Sequence, residues 1–426
     1  MNILLIGAGG VGDSIARIAA RRSFFDHMVI ADYDVDKAEA THKWIIEKHG
    51  AAIGAKFSTV KIDASDKDAI VALARQTGAD FIMNAVDPIF DMPIFDAAFE
   101  AGAVYLDMAM SLSHPHATDP YHTSGVRLGD EQLAKADEWK AAGRLAVLGI
   151  GVEPGLADVF AKYAADYLFS EIDEVNVRDG ANLVMHDADG NEIFAPSFSM
   201  WTTIEECLNP PMVWEKGKGW FTTVPFSEPE TFVFPEGIGE IECVNVEHEE
   251  VSLVPLAIDC KRVTFKYGLG DEFINILKVL HTLGLDSTEP IPVKSASGTV
   301  YVAPRDLVAA TVPDPATIGP QMTGKTCAGT WVTGKGKDGK PRSVYLYHVA
   351  DNQWTMDRDG TQCVVWQTAI NPVVAMELLA TGVWKATGVV GPEVFDAKPF
   401  LELMKKPLDE GGYGSEWGID ERTPTA

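Results

Sequence analysis

Three glycines near the N-terminus have the spacing of a dinucleotide-binding loop. Gly7, Gly9 and Gly12 follow an apolar run at residues 2–6, and a helical pattern begins soon after them at Ile15. In such a loop the first glycine makes a tight turn, the second lets backbone N–H groups approach a diphosphate, and the third lets helix and strand pack closely. The start of the helix then offers unpaired N–H donors to the phosphates. The predicted cofactor-binding residues of this loop are Gly7, Gly9, Gly10, Val11 and Gly12.

An acid follows the next predicted strand at the distance that ribose recognition requires. Asp32 comes directly after the strand predicted at residues 28–31, 20 residues beyond Gly12. A carboxylate here accepts hydrogen bonds from the adenosine ribose hydroxyls and repels a 2′-phosphate. No Arg or Lys stands beside Asp32, since the first cation after it is Lys37. The sequence therefore favours NAD over NADP as the cofactor.

Other polar residues follow the ends of the remaining predicted strands of this region. Asp63 follows the third strand and Asn84 and Ala85 end the fourth, while Asp107 and Glu153 come after the fifth and sixth. Ligands of open α/β sheets bind in the crevice at the carboxyl ends of the strands. We assign Asp63, Asn84 and Ala85 to cofactor binding, and place Asp107 and Glu153 in the same crevice.

The element that must position these residues is a parallel sheet. Strands are predicted at 2–6, 28–31, 57–62, 81–85, 104–106 and 145–150, with helices at 67–77, 93–100 and 131–142 among the segments between them. Crossover helices imply a parallel sheet covered on both faces, and right-handed crossovers give a doubly wound Rossmann sheet. The predicted fold class is α/β, with a dinucleotide-binding Rossmann domain over residues 1–155.

After residue 150 the alternation of strand and helix ends. Longer strands are predicted at 174–178, 240–246, 262–267 and 343–347, with hairpin signals at 187–190 and 337–340. These patterns predict an inserted α+β domain over residues 156–365 with a mostly antiparallel sheet. Helices predicted at 371–381, with Pro372 in the first turn, and at 398–404 form a C-terminal segment over 366–405. Residues 406–426 are expected to be a polar, loosely held tail.

The composition excludes several classes of partner. The 426 residues include 35 Lys plus Arg against 62 Asp plus Glu, a net charge of −27. Nucleic acids and anionic lipids both require a clustered excess of basic residues, so we expect no nucleic-acid partner. No uninterrupted apolar stretch approaches the length of a membrane span, so we expect no membrane association either. The five cysteines are widely spaced, which is typical of reduced thiols and of a cytoplasmic protein.

Taken together, the motifs resemble those of the saccharopine dehydrogenase family, in order and nearly end to end. The matching segments are Ile6–Gly12, Asn84–Pro88, Ala101–Asp107, Gly151–Leu156, Pro304–Asp306 and the stretch from Thr368 through Gly388 to Glu393. The resemblance implies a Rossmann domain, an inserted domain that carries much of the substrate site and the dimer contacts, and C-terminal helices that return to the first domain. We therefore expect a homodimer.

Members of the family oxidise or reduce a C–N bond of an amino acid or polyamine with NAD(P). Because Asp32 indicates NAD, the chain is most similar to lysine 6-dehydrogenase, which deaminates the ε-amine of lysine oxidatively. The first alternative is an imine reductase of the saccharopine or carboxynorspermidine dehydrogenase type. The second alternative, from a different class, is a dinucleotide-binding redox sensor without catalytic activity.

For such a reaction the predicted catalytic residues are Glu153, His248 and Asp107. Hydride transfer needs a neutral amine and therefore a nearby base or proton path. Glu153 could bind the amine or act as the base, or could simply interact with the dipole of the following helix. Asp107 could instead hydrogen-bond on the cofactor side. His248 has acidic neighbours that should raise its pKa, and it could either shuttle a proton or lie exposed in an acidic loop.

The substrate's carboxylate calls for a bidentate arginine. Arg178, Arg262 and Arg305 are the predicted substrate-binding residues because each lies in or beside a predicted strand of the second domain. The alternative for each is a solvated strand face or a structural ion pair. The histidines at 114, 116 and 122 have neither a close Cys nor a helical His-x-x-x-His spacing, so we predict no metal.

Overall fold

Parallel strands and helices alternate over the first third of the chain, as predicted. The computed structural model describes residues 1–187, 189–296 and 298–423. The strands here are β1 (Asn2–Ile6), β2 (His27–Asp32), β3 (Phe57–Lys61), β4 (Phe81–Asn84), β5 (Val104–Leu106) and β6 (Leu145–Val147). The helices are α1 (Gly10–Ala19), α2 (Val35–His49), α3 (Ala51–Gly54), α4 (Lys67–Thr77), α5 (Asp91–Ala101), α6 (Asp130–Leu133) and α7 (Ala136–Ala141).

The elements from residue 156 onward are longer strands interspersed with helices. The helices are α8 (Leu156–Tyr163), α9 (Met200–Leu208), α10 (Glu250–Ala257), α11 (Asp271–Thr282), α12 (Pro304–Thr311), α13 (Asn352–Asp359), α14 (Cys363–Ala380) and α15 (Ala397–Lys405). The first eight strands are β7 (Phe169–Ala181), β8 (Val184–His186), β9 (Glu192–Ile193), β10 (Met212–Glu215), β11 (Gly219–Thr222), β12 (Glu230–Phe234), β13 (Gly239–Asn245) and β14 (Arg262–Gly268). They are followed by β15 (Ile291–Ser295), β16 (Gly298–Val302), β17 (Met322–Thr323), β18 (Lys325–Gly336), β19 (Pro341–Asp351), β20 (Gly388–Val390) and β21 (Trp417–Arg422).

The first sheet is a doubly wound parallel sheet. Its seven strands lie in the order β20-β6-β5-β4-β1-β2-β3, and all neighbouring pairs are parallel. Because β1 lies between β4 and β2, the direction of winding reverses beside it, and ligand crevices of this fold open at that point. Side chains of β1 alternate between two separate cores, with Ile3 and Leu5 in one and Leu4 and Ile6 in the other. Such burial on both faces is what a parallel sheet requires.

The second large sheet is mostly antiparallel, as predicted. Its main path is β11-β10-β14-β7-β18-β19-β21, and β13 and β12 extend from β14. The pairing of β14 with β7 is the parallel exception. The two longest pairings join β18 to β7 and to β19, and the central side chains of β7 and β18 are buried against α8 and α14. The expected Rossmann and α+β architectures are therefore both present.

Two features of the C-terminal region differ from the sequence-based expectation. Helix α14 begins at Cys363, so Pro372 lies inside the helix and not in its first turn. Nearly the whole helix is buried, and this tertiary packing outweighs the cost of a proline in a helix interior. The tail that was expected to be loosely held contains β21, which pairs with β19 from Trp417 to Arg422. The prediction of a loose tail is therefore wrong for these residues. Residues 424–426 of the predicted tail lie outside the described residues.

Helix α14 has the length and apolar composition of a membrane span. However, 78% of its 18-residue window is buried inside the protein. It packs against α1 of the parallel sheet, where its residues Trp366 and Ile370 belong to the same core as Ile15 and Ile18.

Candidate active site

A cavity of about 730 Å³ lies where the carboxyl ends of β1, β4 and β5 face the second part of the chain. Loops of the parallel sheet form one wall, and α9, α12 and α14 contribute to the other. This is the crevice at which doubly wound sheets bind their ligands. Of the predicted site residues, those that line it are Gly7, Gly9, Gly10, Val11, Asp32, Asn84, Ala85, Asp107, Glu153 and His248.

The glycine loop has the geometry that a bound diphosphate requires. Gly7 has a φ of +104°, and a Cβ there would lie 2.4 Å from the carbonyl oxygen of Ala85. A Cβ on Gly12 would lie 2.0 Å from the carbonyl oxygen of Gly7, so this glycine permits the close packing of helix and loop without itself lining the cavity. A Cβ on Gly9 would meet no protein atom within 4 Å. The open space beside Gly9 and the free N–H groups at the start of α1 therefore suit a dinucleotide.

Asp32 lies at the end of β2 on the cavity wall. Its carboxylate accepts hydrogen bonds from the backbone N–H of Ala8 at 2.6 Å and of Asp34 at 2.8 Å. These bonds tie the end of β2 to the glycine loop and hold a negative charge at the adenosine end of the site. Lys37 also lines the cavity, 3.9 Å from a carboxylate oxygen of Asp314.

The prediction for Asp63 does not agree with its position. Its side chain accepts bonds from the backbone N–H and the hydroxyl of Ser65 and does not line the cavity. The reason is that β3 is the edge strand of the sheet, two strands away from the point where winding reverses. Asn84, by contrast, is buried on the cavity wall and donates to Asp91 at 2.6 Å and to the Tyr105 hydroxyl at 3.0 Å.

Two of the predicted catalytic acids lie in the cavity as uncharged or partly charged groups. Asp107 accepts bonds from Gln132 Nε2 at 2.8 Å and from the backbone N–H of Gly149 at 2.6 Å, and burial raises its pKa to about 7. Burial also raises the pKa of Glu153 well above its ordinary value, and the nearby carboxyl group of Asp179 raises it further. The two carboxyl groups hydrogen-bond to each other, which requires that one of them carry a proton.

A different acid makes the hydrogen bond at the start of the helix that follows Glu153. Asp158 in the first turn of α8 accepts the hydrogen bond from the backbone N–H of Gly155 at 2.7 Å. One carboxylate oxygen of Glu153 is buried without a hydrogen-bond partner among the described residues. The geometry therefore leaves Glu153 available for chemistry in the cavity.

His248 is buried, so the expectation of an exposed histidine is wrong. Its side chain is 2% exposed, with Nδ1 2.7 Å from Glu250 and 3.3 Å from Glu249, and its ring stacks on Phe265 at a centroid distance of 3.8 Å. Burial alone would lower the pKa of this histidine, but the charge and hydrogen bond of Glu250 and the charge of Glu249 raise it to about 10. His248 is therefore an imidazolium at neutral pH.

His248, Glu249 and Glu250 also place ligand atoms within 4.8 Å of one another, close enough to hold a metal ion. The sequence predicts no metal for the chain. Nδ1 of His248 already donates to Glu250. The three side chains thus form an internal ion-pair cluster.

The three arginines predicted to bind substrate have structural partners elsewhere. Arg178 is buried in the second sheet and pairs with Glu230 at 2.5 Å. Arg262 pairs with Glu228 at 2.9 Å near the surface, and Arg305 pairs with Glu205 behind the cavity wall. Along the described chain, the cavity lining includes none of the three. Each of the three arginines therefore forms a structural ion pair, which was the alternative to substrate binding.

Asp87, in the loop after β4, lines the cavity as its place after a predicted strand of the parallel sheet indicates. Three further lining residues were not predicted, namely Glu206 on α9, Tyr267 on β14 and Asp306 on α12. The local sequence pattern of these elements does not show that these side chains face the cavity.

The free energy of unfolding should fall as the pH rises from acidic to mildly alkaline. Burial is the first cause that raises the pKa of Asp107 and Glu393 to about 7 and of Glu206 and Glu247 to about 8. Unfolded carboxyl groups titrate near 4, so folding takes up protons between about pH 4 and about pH 8, and the free energy of unfolding falls as pH rises through this window. We expect a melting temperature at least about 5 °C lower at about pH 8.5 than at about pH 5.5 by calorimetry.

The control for this effect is Glu393→Gln, which removes one buried titrating group. Its pH dependence should be shallower than that of the unmodified protein. A melting temperature that rises steadily from acidic to mildly alkaline pH would contradict this prediction, because it would show that these carboxyl groups are ionised in the folded protein.

Comparison with known proteins agrees with this architecture over nearly the whole chain. The family model for the saccharopine dehydrogenase NADP binding domain matches residues 3–147, and that for the saccharopine dehydrogenase C-terminal domain matches residues 151–409. Carboxynorspermidine synthase of Vibrio alginolyticus is 33% identical over 428 residues, which cover 100% of this chain and 98% of that protein. Carboxyaminopropylagmatine dehydrogenase of Synechocystis is 29% identical and covers 97% of this chain and 96% of its own.

Among solved structures, apo saccharopine dehydrogenase (L-Glu forming) from Saccharomyces cerevisiae has the same fold. It aligns with a TM-score of 0.63 and 13% sequence identity over 99% of this chain and 100% of its own. The likeness in fold and the match of both family models to consecutive parts of the sequence lead to one conclusion. The chain belongs to the saccharopine dehydrogenase family and is an NAD(P)-binding oxidoreductase of that family.

Proposed function

We propose that this protein uses a reduced nicotinamide dinucleotide to join an aldehyde that carries an amino-acid group to a cationic amine. The proposal is the imine-reducing alternative of the sequence analysis, in place of lysine 6-dehydrogenase. The products named for two relatives, carboxynorspermidine and carboxyaminopropylagmatine, share one chemical part. Each contains a carboxylated aminopropyl arm joined through a secondary amine to a cationic amine.

The observation that carries the proposal is the acidic lining of the cavity. Carboxylates bind ammonium and guanidinium groups through charge-assisted hydrogen bonds. Among the described lining residues, Lys37 and His248 are the basic ones, and arginine is absent. The acidic side chains that line the cavity are Asp32, Asp87, Asp91, Asp107, Glu153, Glu206, Asp306 and Asp314. Burial raises the pKa of Asp91, Asp107, Glu153 and Glu206, so these four act mainly as hydrogen-bonding groups, and the remaining carboxylates meet the charge of the amine. A polycationic amine fits this lining better than a substrate whose recognition depends on arginine.

The carboxylates near α9 suit the amine because they are already hydrogen-bonded in place. Asp87 faces the hydroxyls of Ser199 at 3.3 Å and Thr202 at 3.4 Å, and Asp306 accepts from Trp201 Nε1 at 3.1 Å. Both acids come from loops or helices that border the cavity. An extended diamine could place one ammonium group here while its other nitrogen reaches the reaction centre.

Condensation of amine and aldehyde requires a neutral amine, then loss of water from the addition product. The bound nicotinamide supplies the hydride that reduces the resulting imine. Glu153 carries or shares a proton with Asp179 and lines the cavity, and in this proposal it gives that proton to the departing oxygen. Asp107, with a pKa of about 7, can accept the proton that the amine must lose.

The test is an assay of the purified protein with NADH or NADPH, aspartate β-semialdehyde and one of three amines, namely 1,3-diaminopropane, putrescine or agmatine. Consumption of the reduced dinucleotide that depends on both aldehyde and amine is expected, with a secondary amine detected by mass spectrometry. Ammonia release from lysine and NAD would show lysine 6-dehydrogenase activity instead. Saturable dinucleotide binding without turnover of any substrate would favour the redox sensor.

The preference for NADH over NADPH is a separate prediction. The Asp32 carboxylate should repel a 2′-phosphate, whereas an amide of the same shape can still accept from the backbone N–H of Ala8. We expect Asp32→Asn to raise the ratio of kcat/KM for NADPH to that for NADH on the order of tenfold, equivalent to about 1.4 kcal/mol. Lys37→Met, which removes a cation on the same wall, should move the ratio the other way. Preference for NADPH in the unmodified protein would contradict the prediction.

A further inference from the structure

His248 is the basic side chain at the catalytic end of the cavity. The other basic residue of the described lining, Lys37, lies just beyond Asp32 and therefore at the adenosine end. The proposed substrate carries a carboxylate, and the arginines that could have bound it pair with other residues outside the cavity. An anion that enters this acidic cavity thus has a single cationic group to meet near Glu153.

The position of the His248 ring is fixed from two sides. Nδ1 donates to Glu250 at 2.7 Å, and the ring lies almost parallel to Phe265, with an interplanar angle of 12°. Within the described residues Nε2 has no hydrogen-bond partner, and the mostly buried side chain lines the cavity. Because an imidazolium donates from both nitrogens, Nε2–H is left as a donor without a protein acceptor, available to a ligand in the cavity.

We propose that Nε2–H of His248 binds the carboxylate of the amino-acid arm and so selects carboxylated aldehydes. This inference rests on the proposed function, since it names the group that recognises one of the two substrates. It also assigns His248 to substrate binding and not to the proton shuttling that the sequence left open. A ring held by Glu250 and by the Phe265 stack is suited to a fixed contact.

The surrounding acids do not oppose this binding as strongly as their number suggests. Desolvation raises the pKa of Glu206 to about 8 and raises that of Glu249, although His248 acts in the opposite direction on both. Glu206 is therefore largely protonated near neutral pH and can donate a hydrogen bond. The carboxylate would meet one imidazolium and one neutral carboxylic acid on this side of the cavity.

The kinetic test compares two aldehydes with the same amine, namely aspartate β-semialdehyde and uncharged butanal. In His248→Asn, the shorter amide can keep the hydrogen bond to Glu250 but cannot reach the cavity. We expect kcat/KM for the carboxylated aldehyde to fall on the order of 50-fold, through KM, while that for butanal changes less than about threefold. His248→Gln, which restores a neutral donor near Nε2, should recover part of the loss. Equal losses on both aldehydes, or no loss on either, would overturn the proposal.

A second measurement uses the unmodified protein and needs neither turnover nor a folded variant. The protein is labelled with 15N-histidine, loaded with NAD and titrated with 2-aminobutanoate or with 2-aminobutanamide, which keeps the ammonium group but lacks the carboxylate. The Nε2–H resonance of one imidazolium should shift with the acid and not with the amide. If no histidine responds to the acid, the inference is wrong even where the proposed reaction is observed. If the shift occurs but no amine and aldehyde react, the proposed function fails and the carboxylate site stands.

Discussion

Gly12→Ala should unfold or strongly destabilise the first domain, and should therefore abolish dinucleotide binding. The added methyl group would lie 2.0 Å from the carbonyl oxygen of Gly7 and 2.8 Å from its carbonyl carbon. These are backbone atoms, so relief requires α1 to move away from β1. We expect a loss of at least about 3 kcal/mol in the free energy of unfolding, measured in urea. A loss within about 0.5 kcal/mol would show that the helix can shift freely.

The matched variant is Gly9→Ala, which separates cofactor binding from stability. The new methyl group has no protein atom within 4 Å, so the free energy of unfolding should stay within about 0.5 kcal/mol of the original. The same methyl group would occupy the space beside the free N–H groups of α1, where the diphosphate is expected. NADH affinity by fluorescence titration should fall on the order of 100-fold. Unchanged affinity would place the diphosphate elsewhere.

Six of the seven strands of the parallel sheet were predictable because most of them are apolar and buried and each is followed by a helix, whereas β20 was not predicted. β1 (Asn2–Ile6) shows this burial, since every residue after the first is buried. The glycine spacing then locates the crevice, because the carboxyl end of β1 is adjacent to the reversal of winding. Asp32, Asn84 and Glu153 follow from this rule alone. Asp63 does not, because the rule treats all strand ends alike, whereas the crevice opens only near the centre of the sheet.

The second half of the site was not predictable in this way. Glu206 and Tyr267 lie far apart in sequence and meet in the cavity only through the pairing of the mixed sheet and the packing of α9. A local pattern cannot report such a meeting. His248 illustrates the same limit, since its acidic neighbours suggest solvent exposure, whereas α10 starts beside it and buries the whole cluster.

The arginines show how composition can mislead. In a chain with a large acidic surplus, each arginine has many available carboxylates, so an ion pair within the protein is the expected fate. Arg178 and Arg305 are both buried in such pairs. The cavity is left acidic, and this acidity carries the proposal of a cationic amine substrate.

Glu153→Gln should have the largest effect on the chemical step. The amide can still donate a hydrogen bond to Asp179 and fills the same space, but it cannot give up a proton. We expect kcat with aldehyde and amine to fall about 10²- to 10⁴-fold, with the dissociation constant for NADH unchanged. Glu206→Gln removes another carboxyl group from the same cavity and should act on the KM of a substrate with kcat nearly intact. Equal kcat values for Glu153→Gln and the unmodified protein would leave Glu153 only a structural role.

A substitution at Asp179 tests whether Glu153 acts as a proton donor or only as a binding group. Asp179 does not line the cavity, but its charge and hydrogen bond are leading causes, after burial, of the raised pKa of Glu153. In Asp179→Asn the charge is gone, so the pKa of Glu153 should fall and the protonated form should be lost at a lower pH. The alkaline limb of kcat for imine reduction should therefore move toward acidic pH, while NADH binding stays constant. A limb that does not move would mean that the proton comes from a group other than Glu153.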